Sequence, residues 1–222
     1  MKLPVIITNS KNYHTGYGEE GMKIVQLHKK IVHELGISMA VAVPITDVQN
    51  VARSVNIPIF AQHIDPVVAG KGTGSILAEA VKEAGAFGTL LNHSEKRIPF
   101  DVIDASIKRA REVGLYTVVC CESPEEAFEI AKLDPDLIAY EPPELIGGTV
   151  SVATAKPDVI RRVVEIVGED HKILVGAGVK NAEDVRVSLD LGAVGVLLAS
   201  GVMQAKDPEW VLRDLGKGMR KF

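Results

Sequence analysis

The chain has 222 residues, 46% of them hydrophobic and 24% charged, with a net charge of −4; this balance suits a folded globular protein and excludes a disordered one. An acidic total gives no global basic balance for nucleic acid or anionic membrane, so neither is expected as a partner. No apolar run approaches the ~18 residues of a membrane span, and the start, soon interrupted by Thr8-Asn9, is not that of a signal peptide; the expectation is a cytoplasmic protein.

Residues 5–8 are the first apolar run and lead into Asn9-Ser10-Lys11, which puts a lysine just past a buried strand, in position to bind an anion. Ile24, Leu27, Ile31 and Leu35 then recur at spacings of three and four with charges between them, the pattern of an amphipathic helix. Runs 39–43 and 58–61 follow, separated by the weakest helix of the set, 47–54, which Thr46-Asp47 opens. Run 88–91 leads into Asn92-His93-Ser94-Glu95-Lys96-Arg97. A helix beginning at Ser94 would set its positive end at His93, favouring a neutral ring that donates to a carbonyl oxygen. Ile103, Ile107 and Ala110 predict the next helix. Run 116–120 carries Cys120 beside Cys121; neighbours in a strand point to opposite faces, so no bridge between them is expected and a reducing setting is.

Ser123-Pro124-Glu125-Glu126 opens a further helix, with proline and acids where the free N–H groups are. Run 137–140 ends in Glu141-Pro142-Pro143-Glu144-Leu145-Ile146-Gly147-Gly148. A carboxylate at a strand end, two rigid prolines and two permissive glycines read as a lid over a site. Lys156-Pro157-Asp158 starts a helix with Val159, Val163 and Ile166 on one face. Runs 173–175 and 194–198 end in Gly176-Ala177-Gly178 and Ala199-Ser200-Gly201, where small residues let backbone N–H groups approach a phosphate. Asn181-Ala182-Glu183 and Asp207-Pro208-Glu209 open the last helices.

Eight apolar runs, several of them nearly continuous Val, Ile, Leu and Ala, are the mark of parallel strands covered on both faces. Their alternation with helices implies right-handed crossovers, and eight such units close most naturally into an α/β (β/α)8 barrel, one domain over 1–222. Pattern alone also admits an open doubly wound sheet. In a barrel the chemistry gathers where strands end.

Taken in chain order, the strand-end motifs resemble those of triosephosphate isomerase. The family's Asn-x-Lys is matched by Asn9 and Lys11, its His-Ser-Glu-[Arg/Lys]-Arg by His93 to Arg97, and its Ala-Tyr-Glu-Pro…Ile-Gly by Ala139-Tyr140-Glu141-Pro142 and Ile146-Gly147. The resemblance covers essentially the whole chain and is to the short, archaeal-type branch. It implies a TIM barrel that interconverts dihydroxyacetone phosphate and glyceraldehyde 3-phosphate through an enediolate, in glycolysis and gluconeogenesis, with no cofactor and no metal. It implies Glu141 as the base, neutral His93 as the group that polarises the carbonyl, Asn9 as a donor, Lys11 as the facing cation and Glu95 as its ion-pair partner. Ile146, Gly147, Gly178, Ala199 and Ser200 would surround the phosphate. Here the sequence departs from the pattern: Gly178 stands where a serine is expected, and the expected Gly-Gly falls on Leu197-Leu198 or Ala199-Ser200. Glu144 replaces a tryptophan of the longer members.

The stretch Gly70-Lys71-Gly72-Thr73-Gly74-Ser75 fails the phosphate-loop pattern, because Asp65 replaces its first glycine and Gly72 follows its lysine. It resembles instead the family's protruding subunit-contact loop with Thr73 at the tip, which implies a homotetramer, a dimer being the alternative. His28 and His33, five apart, do not align on one helix face as metal ligands. Other phosphate-binding barrels, such as those of tryptophan or histidine biosynthesis, place carboxylates at other strand ends, and a non-catalytic barrel needs no base opposite an electrophile.

Overall fold

The computed structural model describes residues 1–142 and 155–219. Eight strands alternate with helices: β1 (Val5–Asn9), α1 (Gly18–Leu35), β2 (Met39–Val43), α2 (Val48–Ser54), β3 (Ile59–Ala61), α3 (Ala78–Glu83), β4 (Gly88–Leu91), α4 (Phe100–Val113), β5 (Tyr116–Cys121), α5 (Pro124–Ala131) and β6 (Leu137–Tyr140). After residue 155 come α6 (Pro157–Val167), β7 (Ile173–Gly176), α7 (Ala182–Asp190), β8 (Gly195–Leu198), α8 (Ser200–Met203) and α9 (Pro208–Gly218). The strands are all parallel and pair in sequence order, and β1 pairs with β8 from Val5↔Gly195 to Thr8↔Leu198, closing the barrel. That closure settles the barrel against the open sheet. Every strand lies within one residue of its sequence-predicted run.

Two apolar layers hold the fold. Inside the barrel, Val5, Ile7, Ala40, Ala42, Phe60, Leu90, Val118, Cys120, Leu137, Ala139, Leu174 and Leu197 pack against one another. The alternate residues of the same strands face the helices, as the two-residue period of a strand requires. Phe60 is the largest interior group. It reaches over Gly88, where an added Cβ would lie 2.5 Å from its ring, and its edge meets Tyr116 at a centroid distance of 6.4 Å. Each fully buried Ile or Leu contributes roughly 1.5–3 kcal/mol, so these layers are the main source of stability.

Three of the predicted helix starts are capped by their side chains. Ser123 accepts from the Glu126 N–H at 3.1 Å, Asn181 from Asp184 at 2.9 Å and Asp207 from Trp210 at 2.9 Å. One start differs from the sequence reading. Ser94 begins no helix; residues 93–96 close a turn through Lys96 N–H to His93 O at 2.7 Å, and α4 waits until Phe100. Pro99 explains the delay, since the residue before a proline is disfavoured in the helical region. No helix among the described residues is long and apolar enough to cross a membrane.

Candidate active site

Strand parity aims the first two groups. On β1, Val5 and Ile7 point into the barrel, so Asn9 does too; on β6, Leu137 and Ala139 point inward, so Glu141 follows them at the mouth. His93 needs a different device. Gly88 and Leu90 are the inward positions of β4, which would send His93 outward with Leu91. Asn92 has φ +57, and this left-handed residue resets the alternation so that His93 joins Glu141. The Asn92 side chain holds the twist: its Nδ2 donates to Cys120 O at 3.0 Å and Glu126 Oε1 at 3.1 Å, and its Oδ1 accepts from Ile98 N–H at 3.1 Å. Arg97, ion-paired with Glu126, also donates to Asn92 O at 3.4 Å.

Lys11 is likewise left-handed, at φ +47. Its N–H donates to Asn9 Oδ1 at 3.0 Å, its carbonyl accepts from Gln62 Nε2 at 3.0 Å, and its ammonium pairs with Glu95 Oε1 at 2.8 Å. Among the described residues four non-glycines have positive φ, and three of them, Lys11, Asn92 and Ala177, stand at this end of the barrel. Such backbone strain, of order 1–3 kcal/mol each, concentrates where geometry serves chemistry.

The electrostatics turn on His93 and Glu141. His93 Nδ1 accepts the Glu95 N–H at 3.1 Å, so the ring proton is on Nε2 and a doubly protonated ring would set two N–H groups head to head. Nε2 lies 3.7 Å from Glu141 Oε2. Among the described residues that oxygen is buried without a hydrogen-bond partner. Burial pushes the Glu141 carboxyl up from its usual range, against the opposing pull of His93 first, then Cys120 and Lys11. Cys120 faces the interior and Cys121 the helices; burial and then the Glu141 charge push the Cys120 thiol up.

One cleft joins Asn9, Lys11, His93 and Glu141 to Gly178, Ala199 and Ser200. Ile146 and Gly147, and the reading of their stretch as a lid, lie outside the described residues. The sequence reading missed three supporting residues. Gln62 was not singled out, Asn92 carried no sign of its backbone twist, and Gly176 read only as a small residue. An added Cβ on Gly176 would lie 2.3 Å from Glu141 Cγ. The signal that existed was parity, because Gly176 follows inward Leu174.

Residues 4–215 match the family model described as triosephosphate isomerase. The triosephosphate isomerase of Methanocaldococcus jannaschii is 45% identical over 216 residues, 96% of this chain and 99% of that one. That of Metallosphaera sedula is 42% identical over 220 residues, 98% of this chain and 96% of its own. The crystal structure of the Bartonella henselae triosephosphate isomerase shares the fold with a TM-score of 0.72 at 20% identity, each chain covered to 97%.

Proposed function

The chain belongs to the triosephosphate isomerase family, and from that premise we propose that it interconverts dihydroxyacetone phosphate and glyceraldehyde 3-phosphate by proton transfer through an enediolate, with Glu141 as base and His93 as electrophile. The carrying observation is the buried Glu141 Oε2, without a hydrogen-bond partner among the described residues, at 3.7 Å from the proton-bearing Nε2 of His93. An orphaned carboxylate oxygen costs stability, and a base that must take a carbon-bound proton has a use for one.

The division of labour is the one known for this family. Glu141 removes a proton from the carbon beside the carbonyl, His93 Nε2–H donates to the carbonyl oxygen as it becomes an enediolate oxygen, and the same carboxyl returns the proton to the neighbouring carbon. Asn9 Oδ1 is occupied by the Lys11 N–H and, at 3.3 Å, by Gln62 Nε2, which leaves its Nδ2 to face substrate. Lys11 supplies positive charge; Glu95 aims it. That pair is half open to water, its acid 60% exposed, and exposed pairs are worth at most about 1 kcal/mol, so aim rather than stability is its contribution. Backbone N–H groups near Gly178 and Ala199–Ser200, with Ile146 and Gly147 by family resemblance, receive the phosphate. The reaction belongs to glycolysis and gluconeogenesis, and residues 1–222 act as one catalytic domain.

A cytoplasmic setting accords with two buried free thiols. A homotetramer is supported by two surfaces. The segment 66–75 stands out with Val68 63% exposed, braced at its base by Ile76 N–H to Asp65 Oδ2 at 2.7 Å, beside an open groove that His63, Lys11 and Glu95 line. Phe100 and Phe128, 46% and 41% exposed, offer apolar area for a second contact.

A coupled assay with glyceraldehyde 3-phosphate tests the reaction, and Glu141→Asp tests the base. Withdrawing the carboxylate by about 1 Å lowers kcat roughly 10²-fold; wild-type turnover in that variant would remove Glu141 from the role. Sedimentation that finds only monomer at assay concentration would end the tetramer.

A further inference from the structure

The turn after β7 brings a second lysine to the cleft. Ala177 and Gly178 have φ +70 and +73, and this double left-handed turn returns Val179 to the core while setting Lys180 beside the turn after β8. Its Cα lies 3.8 Å from where a Cβ on Gly201 would be. Two linked bonds hold the position: Lys180 N–H donates to Asp184 Oδ2 at 2.9 Å, and Asp184 N–H donates to Asn181 Oδ1 at 2.9 Å.

Lys180 lines the same cleft as Gly178, Ala199 and Ser200. It is half-buried, yet among the described residues its ammonium has no ion pair or hydrogen bond. Glu183, the carboxylate closest in sequence, pairs with Arg186, and Asp184 is buried and receives the backbone N–H of Lys180. Lys11, by contrast, is held by Glu95. A half-buried cation without a counter-ion, beside small residues that expose backbone N–H groups, is a setting that an anion completes. The flexible four-carbon stem lets the ammonium reach over the cleft mouth.

We propose that Lys180 is a second cation of the phosphate subsite, its ammonium binding the phosphate dianion of the triose from the β7–β8 side while Lys11 faces the reacting carbons. This rests on the reading of the cleft as a triose phosphate site. Lys180 acts on binding, so it separates affinity from chemistry.

Lys180→Met and Lys180→Arg are compared with the wild type in two experiments. In steady-state assays Lys180→Met raises KM for glyceraldehyde 3-phosphate roughly 5- to 20-fold, between the effect of an exposed ion pair and that of a buried charge-assisted bond. Its kcat falls much less, its kcat/KM toward unphosphorylated glyceraldehyde changes less than two-fold, and Lys180→Arg recovers most of the affinity. In calorimetric titration of inorganic phosphate into the resting protein, the methionine variant binds correspondingly more weakly. Unchanged KM and unchanged phosphate binding in Lys180→Met, or an equal loss toward glyceraldehyde, would overturn the proposal. The titration needs no turnover, so a wild type that binds phosphate through Lys180 but fails to isomerise would sink the reaction assignment and leave the subsite standing.

Discussion

Gly176 on β7 and Glu141 after β6 are packed so tightly that a methyl group on the glycine would lie 2.3 Å from Glu141 Cγ and 2.9 Å from its Oε1. The carboxylate therefore rests against bare backbone, and only the absence of a side chain on β7 lets it lie over the barrel mouth. Gly176→Ala should push the carboxylate aside by about 1 Å, a displacement that costs on the order of 10²-fold in rate. The strain falls on a side chain at the open end of the barrel, so the barrel itself should fold. Steady-state kinetics and a thermal melt check this: kcat near wild type would mean that Glu141 has room the structure does not show.

Glu141 should also cost the protein stability. Its carboxyl is raised above 4.5 by burial, so the folded state holds that proton more tightly than the unfolded chain. A group with a raised folded-state pKa contributes stability that is fully present below the unfolded value and is lost as pH rises through the folded one. Glu141→Gln should therefore melt higher than the wild type at pH 8, with the gap shrinking toward pH 4, while kcat falls on the order of 10³-fold for want of a base. Melts of both proteins across that range are the measurement, and a variant less stable at pH 8 would contradict it. The same shift places the acid limb of kcat/KM above the usual carboxylate range.

The strands could be read from sequence because nearly continuous β-branched and aliphatic runs have few other uses, and the ends of those runs led directly to Asn9, His93 and Glu141. What brings them together was hidden. The reset at Asn92 is a backbone conformation, and asparagine adopts it in only a fraction of its positions. The Ser94-Glu95 pair has the composition of a helix start, but Pro99 delays α4 to Phe100, so the Glu95 N–H that meets His93 comes from a turn. Gln62 and Gly176 act through contacts with residues far away in sequence, which no local pattern records.

His28 on α1 is fully enclosed, its Nδ1 2.8 Å from Ile24 O and its Nε2 2.8 Å from Thr8 Oγ1 on β1. Both bonds are met by a neutral ring that donates from Nδ1 and accepts the threonine hydroxyl at Nε2. Burial lowers its pKa to about 4 from 6.5, so the unfolded chain binds the proton first as pH falls. The stability this linkage provides is complete above pH 6.5 and drains away down to pH 4, about 3 kcal/mol in all. The double variant His28→Leu/Thr8→Val removes both polar partners together and should flatten the stability curve over this window, as read by urea unfolding at each pH. An unchanged slope would assign the acid sensitivity elsewhere.

Gln62 is the last residue to test, because it holds the strained lysine from the far side. Its Nε2 is 3.0 Å from Lys11 O, 3.3 Å from Asn9 Oδ1 and 3.4 Å from Ser10 Oγ, so one amide group fixes both the backbone of Lys11 and the orientation of the Asn9 side chain. Gln62→Ala should free Lys11 to leave its left-handed conformation and lower kcat/KM roughly 10-fold, with kcat affected more than KM because the group that drifts faces the developing charge. Gln62→Glu keeps the volume but turns a donor into an acceptor against three oxygens, so it should lose more stability than the alanine variant at pH 8 and recover part of it at pH 5 as the new carboxyl takes a proton and can donate again. If glutamate is tolerated as well as glutamine at both pH values, the amide is not what holds Lys11 in place.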